Sequence, residues 1–274
     1  ARGVRFKRAY CSNPVCVASR FSLLTGHMPS AIDLRANDSK HIDKIPDAIQ
    51  DNALGHTLRR AGYRTVYAGK QHLPKMTAES CGFEYLTRDE RDVCAEVSAR
   101  FLREQTNTDG PPFCLFVSLI NPHDICYMAI RESQANDWER LIVSKGKDLV
   151  AKELDPALKM PEGVDEDTFF AKYCPPVPPN YEPHPDEPEA EKESLYRTPF
   201  RVNARENWGE RKWRLHRWAY GKLTERVDGQ IGRVLDALRE SGLEDNTVVI
   251  FTSDHGDHDG SRKMEHKTFP YEEA

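Results

Sequence analysis

The chain has 274 residues, with 39 basic against 44 acidic side chains for a formal charge of −5, and 38% of its residues are hydrophobic. A net negative chain lacks the broad basic face with which proteins grip nucleic acid, and no uncharged apolar run approaches the roughly 18 to 20 residues that cross a bilayer. The length suits one large α/β domain, while seven scattered cysteines, at 11, 16, 81, 94, 114, 126 and 174, form no regular disulfide framework and leave at least one sulfur outside any internal pair.

In chain order, positions 4–10 alternate enough for a short strand. Positions 47–61 read as one helix with Ile49, Leu54, Leu58 and Ala61 on a single face, stopped by Gly62. A strand over 63–68 follows. The next pair is a helix over 92–106, carrying Val93, Val97, Phe101 and Leu102 at helical spacing, and a nearly all-apolar strand over 113–120 that should be buried on both faces. Positions 174–188 hold seven prolines in fifteen residues, which removes donors and fixes φ too often for regular structure. We read 174–190 as a loop or insert. Beyond it, 212–238 has the strongest helical period in the chain, ended by Gly242, and 247–251 (TVVIF) reads as another central strand. The final YEEA resembles a helix start. Repeated helix-then-strand units imply an α/β fold, a mostly parallel sheet sandwiched by helices, with ligands at the carboxyl ends of its strands.

Polar residues stand directly after those strands, as Lys70 and His72, as His123 and as Asp254 and His255. Strand ends of a parallel sheet converge on one rim, so these groups outline an anion and metal site. A phosphate-loop reading of Gly62 to Lys70 fails, because the GxxxxGK spacing is missing and Gln71 stands where Ser or Thr is required.

A further segment, Cys16-Val17-Ala18-Ser19-Arg20 followed by Leu23-Leu24-Thr25-Gly26, resembles the signature of the type I, formylglycine-dependent sulfatases of the alkaline-phosphatase-like superfamily. The run from Gly62 to His72 is similar to a second signature of that family, and Ser253-Asp254-His255-Gly256 with Lys267 to a third. The three occur in the family's order and cover nearly the whole chain. The resemblance is to the N-terminal catalytic domain over 1–274, truncated at both ends, with the first strand and its Asp-Asp pair and the C-terminal subdomain outside it.

What the resemblance implies is a specific chemistry. The motif cysteine, Cys16, is oxidised after translation to formylglycine by a formylglycine-generating enzyme. The aldehyde hydrates to a diol, one hydroxyl attacks sulfur as the ester alcohol leaves, and the other then expels the sulfate. Arg20, one turn after Cys16, steadies the diol and the metal ligands. Lys70, His72, His123 and Lys267 map onto sulfate-contacting residues, suited to a transition state that spreads negative charge over peripheral oxygens, and His72 or His123 manages the proton. Asp254 and His255, with position 16, map onto ligands of Ca2+, which takes about 6 to 8 mostly oxygen ligands. Ala18 stands where proline is commoner. A zinc site from His255, Asp257, His258 and His266 lacks the recurring zinc spacings.

The implied activity is hydrolysis of a sulfate monoester, with a sulfated small molecule or glycan as substrate, of the glycosaminoglycan type by our guess, in a periplasm, a lysosome or outside the cell. The rivals are phosphate or phosphonate ester hydrolysis on the same fold, and a non-catalytic sulfate-binding protein.

Overall fold

The computed structural model describes residues 3–105 and 110–274, and the chain divides into two compact units. The first comprises 1–119, 233–256 and 274, the second 120–232 and 257–273.

The first unit is built on a parallel three-stranded sheet. Its strands β1 (Arg64–Gly69), β2 (Glu84–Thr87) and β3 (Phe113–Ser118) lie in the order β2-β1-β3. β1 pairs with β3 in unbroken register from Arg64 opposite Phe113 to Gly69 opposite Ser118. Side chains alternate between faces along a strand, and each face of β1 has its own apolar cover. Tyr67 joins Val17, Phe21 and Leu24 of helix α1 (Cys16–Thr25), and its ring stacks on Phe116 at 4.8 Å. Val66 joins Phe101 and Leu102 of α4 (Cys94–Glu104) and Ala237 and Leu238 from the end of the long helix α12 (Glu210–Glu240). The expected parallel sheet between helices is therefore present in this unit.

Several expected elements differ. The helix expected over 47–61 is two short helices, α2 (Asp47–Gln50) and α3 (Leu54–Arg60). Between them Asn52 donates to Ala48 O, and Asn52 O accepts from Thr57 Oγ1, a side-chain competition that breaks a helix at short polar residues. The helix expected over 92–106 runs from Cys94 to Glu104, and position 106 lies outside the described residues. β3 is half-buried over most of its length rather than sealed on both faces, because β1 is its only strand neighbour among the described residues. Positions 4–10 and 247–251 form no strand, and Val248, Ile250 and Phe251 are 88%, 84% and 79% exposed. Apolar β-branched sequence needs a partner edge as well as propensity, and no described strand pairs with either segment. The final residues form a turn, not a helix.

The second unit is helical. It contains α5 (Cys126–Ser133), α6 (Asp137–Lys145), α7 (Lys147–Leu149), a π-helical turn (Val150–Leu154), α8 (Asp155–Ala157), α9 (Glu166–Lys172), α10 (Glu189–Tyr196), α11 (Pro199–Asn207) and α12 as far as Gly232. Asn136 and Asp165 accept backbone N–H groups at the starts of α6 and α9, as short polar caps do. Trp213, fully buried, anchors a core with Met128, Leu154, Phe200, Trp208 and Leu223.

Residues 174–188 have no regular structure, as the prolines require, and 189–190 already belong to α10. Proline offers a carbonyl and no donor, so donors come from α12. Arg214 donates to Pro175 O at 3.0 Å, to Cys174 O at 2.9 Å and to Phe170 O, and Arg217 donates to Pro176 O. No helix among the described residues is long and apolar enough to cross a membrane.

Candidate active site

Cys16 is the first residue of α1 and fully buried. The open N–H groups and the dipole of a helix start favour negative charge there, and one of those groups, Val17 N–H, donates to Asn37 Oδ1 at 3.0 Å. Arg20 follows one turn later on the same helix. Its Nε donates to Asp254 Oδ2 at 2.7 Å, while Nη1 donates to Lys70 O at 2.9 Å and Ser118 Oγ at 2.8 Å. One buried guanidinium thus ties α1 to the ends of β1 and β3 and to the segment after position 251.

Lys70 reaches its place through Gly69. This glycine has φ +91°, and a Cβ on it would sit 2.2 Å from Ser118 O, so no other residue fits without movement. The turn brings Lys70 Nζ to 3.6 Å from Cys16 Sγ, and Tyr67 Oη donates to Lys70 O at 2.6 Å. From the other side His255 Nε2 lies 3.1 Å from Cys16 Sγ, while His255 Nδ1 donates to Gly256 O at 2.7 Å. That carbonyl accepts the Nδ1–H hydrogen bond and so turns Nε2 toward the sulfur, as the outer partner of a metal-ligating histidine orients its ring. Ser19 Oγ donates to Asp254 O.

Electrostatics follow from this packing. Burial works against the charged form of Asp254, yet Arg20, His255 and Lys70 outweigh it and hold the carboxyl below its usual range. Burial likewise opposes the charge on Arg20, and Asp254 more than restores it.

Among the described residues the one group of three donors able to share a cation is Cys16, Asp254 and His255, whose ligand atoms lie within 4.8 Å of one another. Asp254 gives a hard oxygen and His255 a directed nitrogen. Conversion of the thiol at 16 to an oxygen function would make the set suit a hard cation better. The donors fit one side of a divalent-metal site. The zinc set of His255, Asp257, His258 and His266 does not form such a group.

The residues singled out in the sequence thus divide. Cys16, Arg20, Lys70, Asp254 and His255 meet within the first unit. His72 belongs to that unit but is exposed, at φ 44°, and takes no part in the network. His123 and Lys267 belong to the second unit. His123 Nδ1 lies 4.0 Å from Cys126 Sγ, and Lys267 is 7% exposed. Sequence reasoning gave no role to Ser118, Tyr67 or Asn37. The signal for Ser118 was its place at the end of a parallel strand, whereas nothing local marks Asn37.

Comparison with known proteins gives the arrangement a context. The chain is 24% identical over 275 residues to a Delta 4,5-hexuronate-2-O-sulfatase of Bacteroides thetaiotaomicron, covering 96% of this chain and 51% of that protein. It is also 24% identical over 312 residues to a choline-sulfatase of Rhizobium meliloti, covering 96% and 52%. The solved structure of a 2-O GAG sulfatase shares the fold, with a TM-score of 0.68 and 22% identity over 98% of this chain and 54% of that one. The chain therefore spans about half the length of the relatives it matches. The family model described as Sulfatase matches residues 1–274, and with this span covering the whole sequence the chain belongs to the Sulfatase family.

Proposed function

We propose that the protein hydrolyses a sulfate monoester, with a matured residue 16 as nucleophile. The observation that carries this reading is the convergence on one buried sulfur of Lys70 at 3.6 Å and His255 at 3.1 Å, beside the Arg20–Asp254 pair at 2.7 Å. A structural cysteine needs none of these charges. A hydrated aldehyde at 16 would place a hydroxyl where Lys70 favours its ionised form, while Arg20 keeps Asp254 ionised and oriented. That hydroxyl attacks sulfur, the ester alcohol leaves, and loss of the second hydroxyl's proton expels sulfate and restores the aldehyde. Asp254, His255 and the oxygen at 16 would hold a divalent cation, for which we propose Ca2+. When bound, it supplies positive charge that eases ionisation of the hydroxyl. By the family resemblance His72, His123 and Lys267 contact the sulfate, and His72 or His123 handles the proton.

Cys16 is fully buried, so a formylglycine-generating enzyme must reach it before α1 is packed. The proposed substrate is a sulfated carbohydrate of the glycosaminoglycan type, supported by the relatives that act on hexuronate and GAG sulfates, and the proposed location is a periplasm, a lysosome or the cell exterior. The test is mass analysis of the peptide containing residues 13–20 from the full-length protein. An aldehyde at 16, with loss of sulfate release in Cys16→Ala, is expected; full-rate release from protein with unmodified Cys16 overturns the reading.

A further inference from the structure

Lys267 is presented by a contorted stretch of backbone. The loop before it closes through His258 N to His266 O at 2.7 Å and Gly260 N to Met264 O at 2.9 Å. The residues flanking Lys267, His266 and Thr268, have φ of 68° and 121°. A positive φ is rare at any side-chain-bearing residue and an outlier at a β-branched one, and it persists only where surrounding contacts over-determine it. Lys267 itself is 7% exposed, and among the described residues its ammonium has no ion-pair partner, which leaves it available for an anion.

The contacts that hold this stretch come from far away in sequence. Arg201, on α11, donates from Nη2 to Lys267 O and to Thr268 Oγ1, each at 3.1 Å. Its Nε lies 3.6 Å from Glu265 Oε1, and the side chains of Arg201 and Glu265 are 11% and 1% exposed. Glu265 in turn accepts from His266 Nδ1. Phe269, two residues after Lys267, is buried against Leu195 and Met264. One guanidinium therefore binds the carbonyl of Lys267 and the hydroxyl of its strained neighbour while facing the carboxylate two residues before it.

We infer that Arg201 is a positioning residue for sulfate ester hydrolysis, holding the 265–268 backbone in the strained form that fixes where the Lys267 ammonium stands. This rests on the proposed reading of Lys267 as a sulfate contact. Arg201 touches no substrate; it acts through the peptide it holds. Guanidinium geometry matters here because one planar fork serves two acceptors and faces a third, which a lysine cannot reproduce.

The experiment is a double-mutant cycle in the full-length matured protein, with sulfate release read per folded molecule. Arg201→Gln is expected to lower kcat/KM about 100-fold, mostly in kcat, as small misplacements of reacting groups do, with Arg201→Lys restoring part. In a Lys267→Ala background the same change is expected to cost less than about 3-fold, since the group it positions is gone. An undiminished loss in that background, or no loss in the parent, overturns the inference. If Lys267→Ala alone leaves turnover intact, the sulfate-contact reading of Lys267 falls instead. Thr268→Gly covers the case in which Arg201 variants fail to fold. It relaxes the backbone, so Tm should hold or rise while kcat falls about 10-fold; unchanged kcat there also overturns the inference.

Discussion

Arg20–Asp254 in the first unit and Arg201–Glu265 in the second, both buried arginine–carboxylate pairs, are completed in different ways. Arg20 meets Asp254 at 2.7 Å and donates from Nη1 to Lys70 O and Ser118 Oγ, so the guanidinium closes a tight junction around Cys16. Arg201 faces Glu265 at 3.6 Å, Arg201 Nε and Glu265 Oε1 make no hydrogen bond, and its donors go to the backbone and hydroxyl around Lys267. A buried pair is worth little against an apolar replacement, but removing one partner strands the other charge. The first pair is thus suited to assembling a junction and the second to holding a strained peptide.

The hardest blow to the first pair is Arg20→Ala, which strands Asp254. We expect about 3–5 kcal/mol lost in urea unfolding of the full-length protein, with Arg20→Lys recovering part; a loss below about 1 kcal/mol would show that the junction does not depend on the pair.

The region of the second pair is sharpened by pH. Burial pushes His258 down from 6.5 to about 4, so protons favour the unfolded chain and stability falls as pH drops from 6.5 through 4. The drop is at most about 3 kcal/mol, and His258→Phe should flatten it. His216 has the opposite sign: burial lowers it, Asp259, Asp257 and Glu265 together outweigh burial, and the net is upward. Its contribution is therefore full below about pH 6.5 and is lost as pH climbs past its folded value. Unfolding free energies of His258→Phe and His216→Phe across pH 4 to 8 should diverge in slope; parallel curves would refute the assignment.

Gly69→Ala probes the first junction from the backbone side. A Cβ at 2.2 Å from Ser118 O and φ +91° should cost about 2 kcal/mol or more and weaken turnover by moving Lys70. The smallest effect belongs to the surface comparison, Arg64–Glu84 at 2.9 Å with both side chains over 40% exposed. Glu84→Gln should change stability by less than about 1 kcal/mol, and less still in high salt.

Much of the first junction was legible beforehand because its members stand at strand ends or within one helical turn, where geometry follows from period and topology. Lys70 after β1 and Arg20 one turn past Cys16 are of this kind. Arg201 was not legible, since a contact across 66 residues between a helix and a loop carbonyl leaves no local pattern. Residues 247–251 show the converse limit. Their composition reads as a central strand, but pairing is a property of the neighbour as well, and no described neighbour supplies it. The helix expected over 47–61 failed at Asn52 and Thr57, where short side chains captured local carbonyls that periodicity ignores.

The proline-rich stretch held by Arg214 and Arg217 has a consequence for how that part of the surface can vary. Its rings fix the local angles with or without a partner, so shape and attachment are governed by separate residues. Exchanging the two arginines for methionine would free a semi-rigid strap that keeps its bends while swinging as a whole, whereas replacing prolines would slacken the strap and leave its moorings in place.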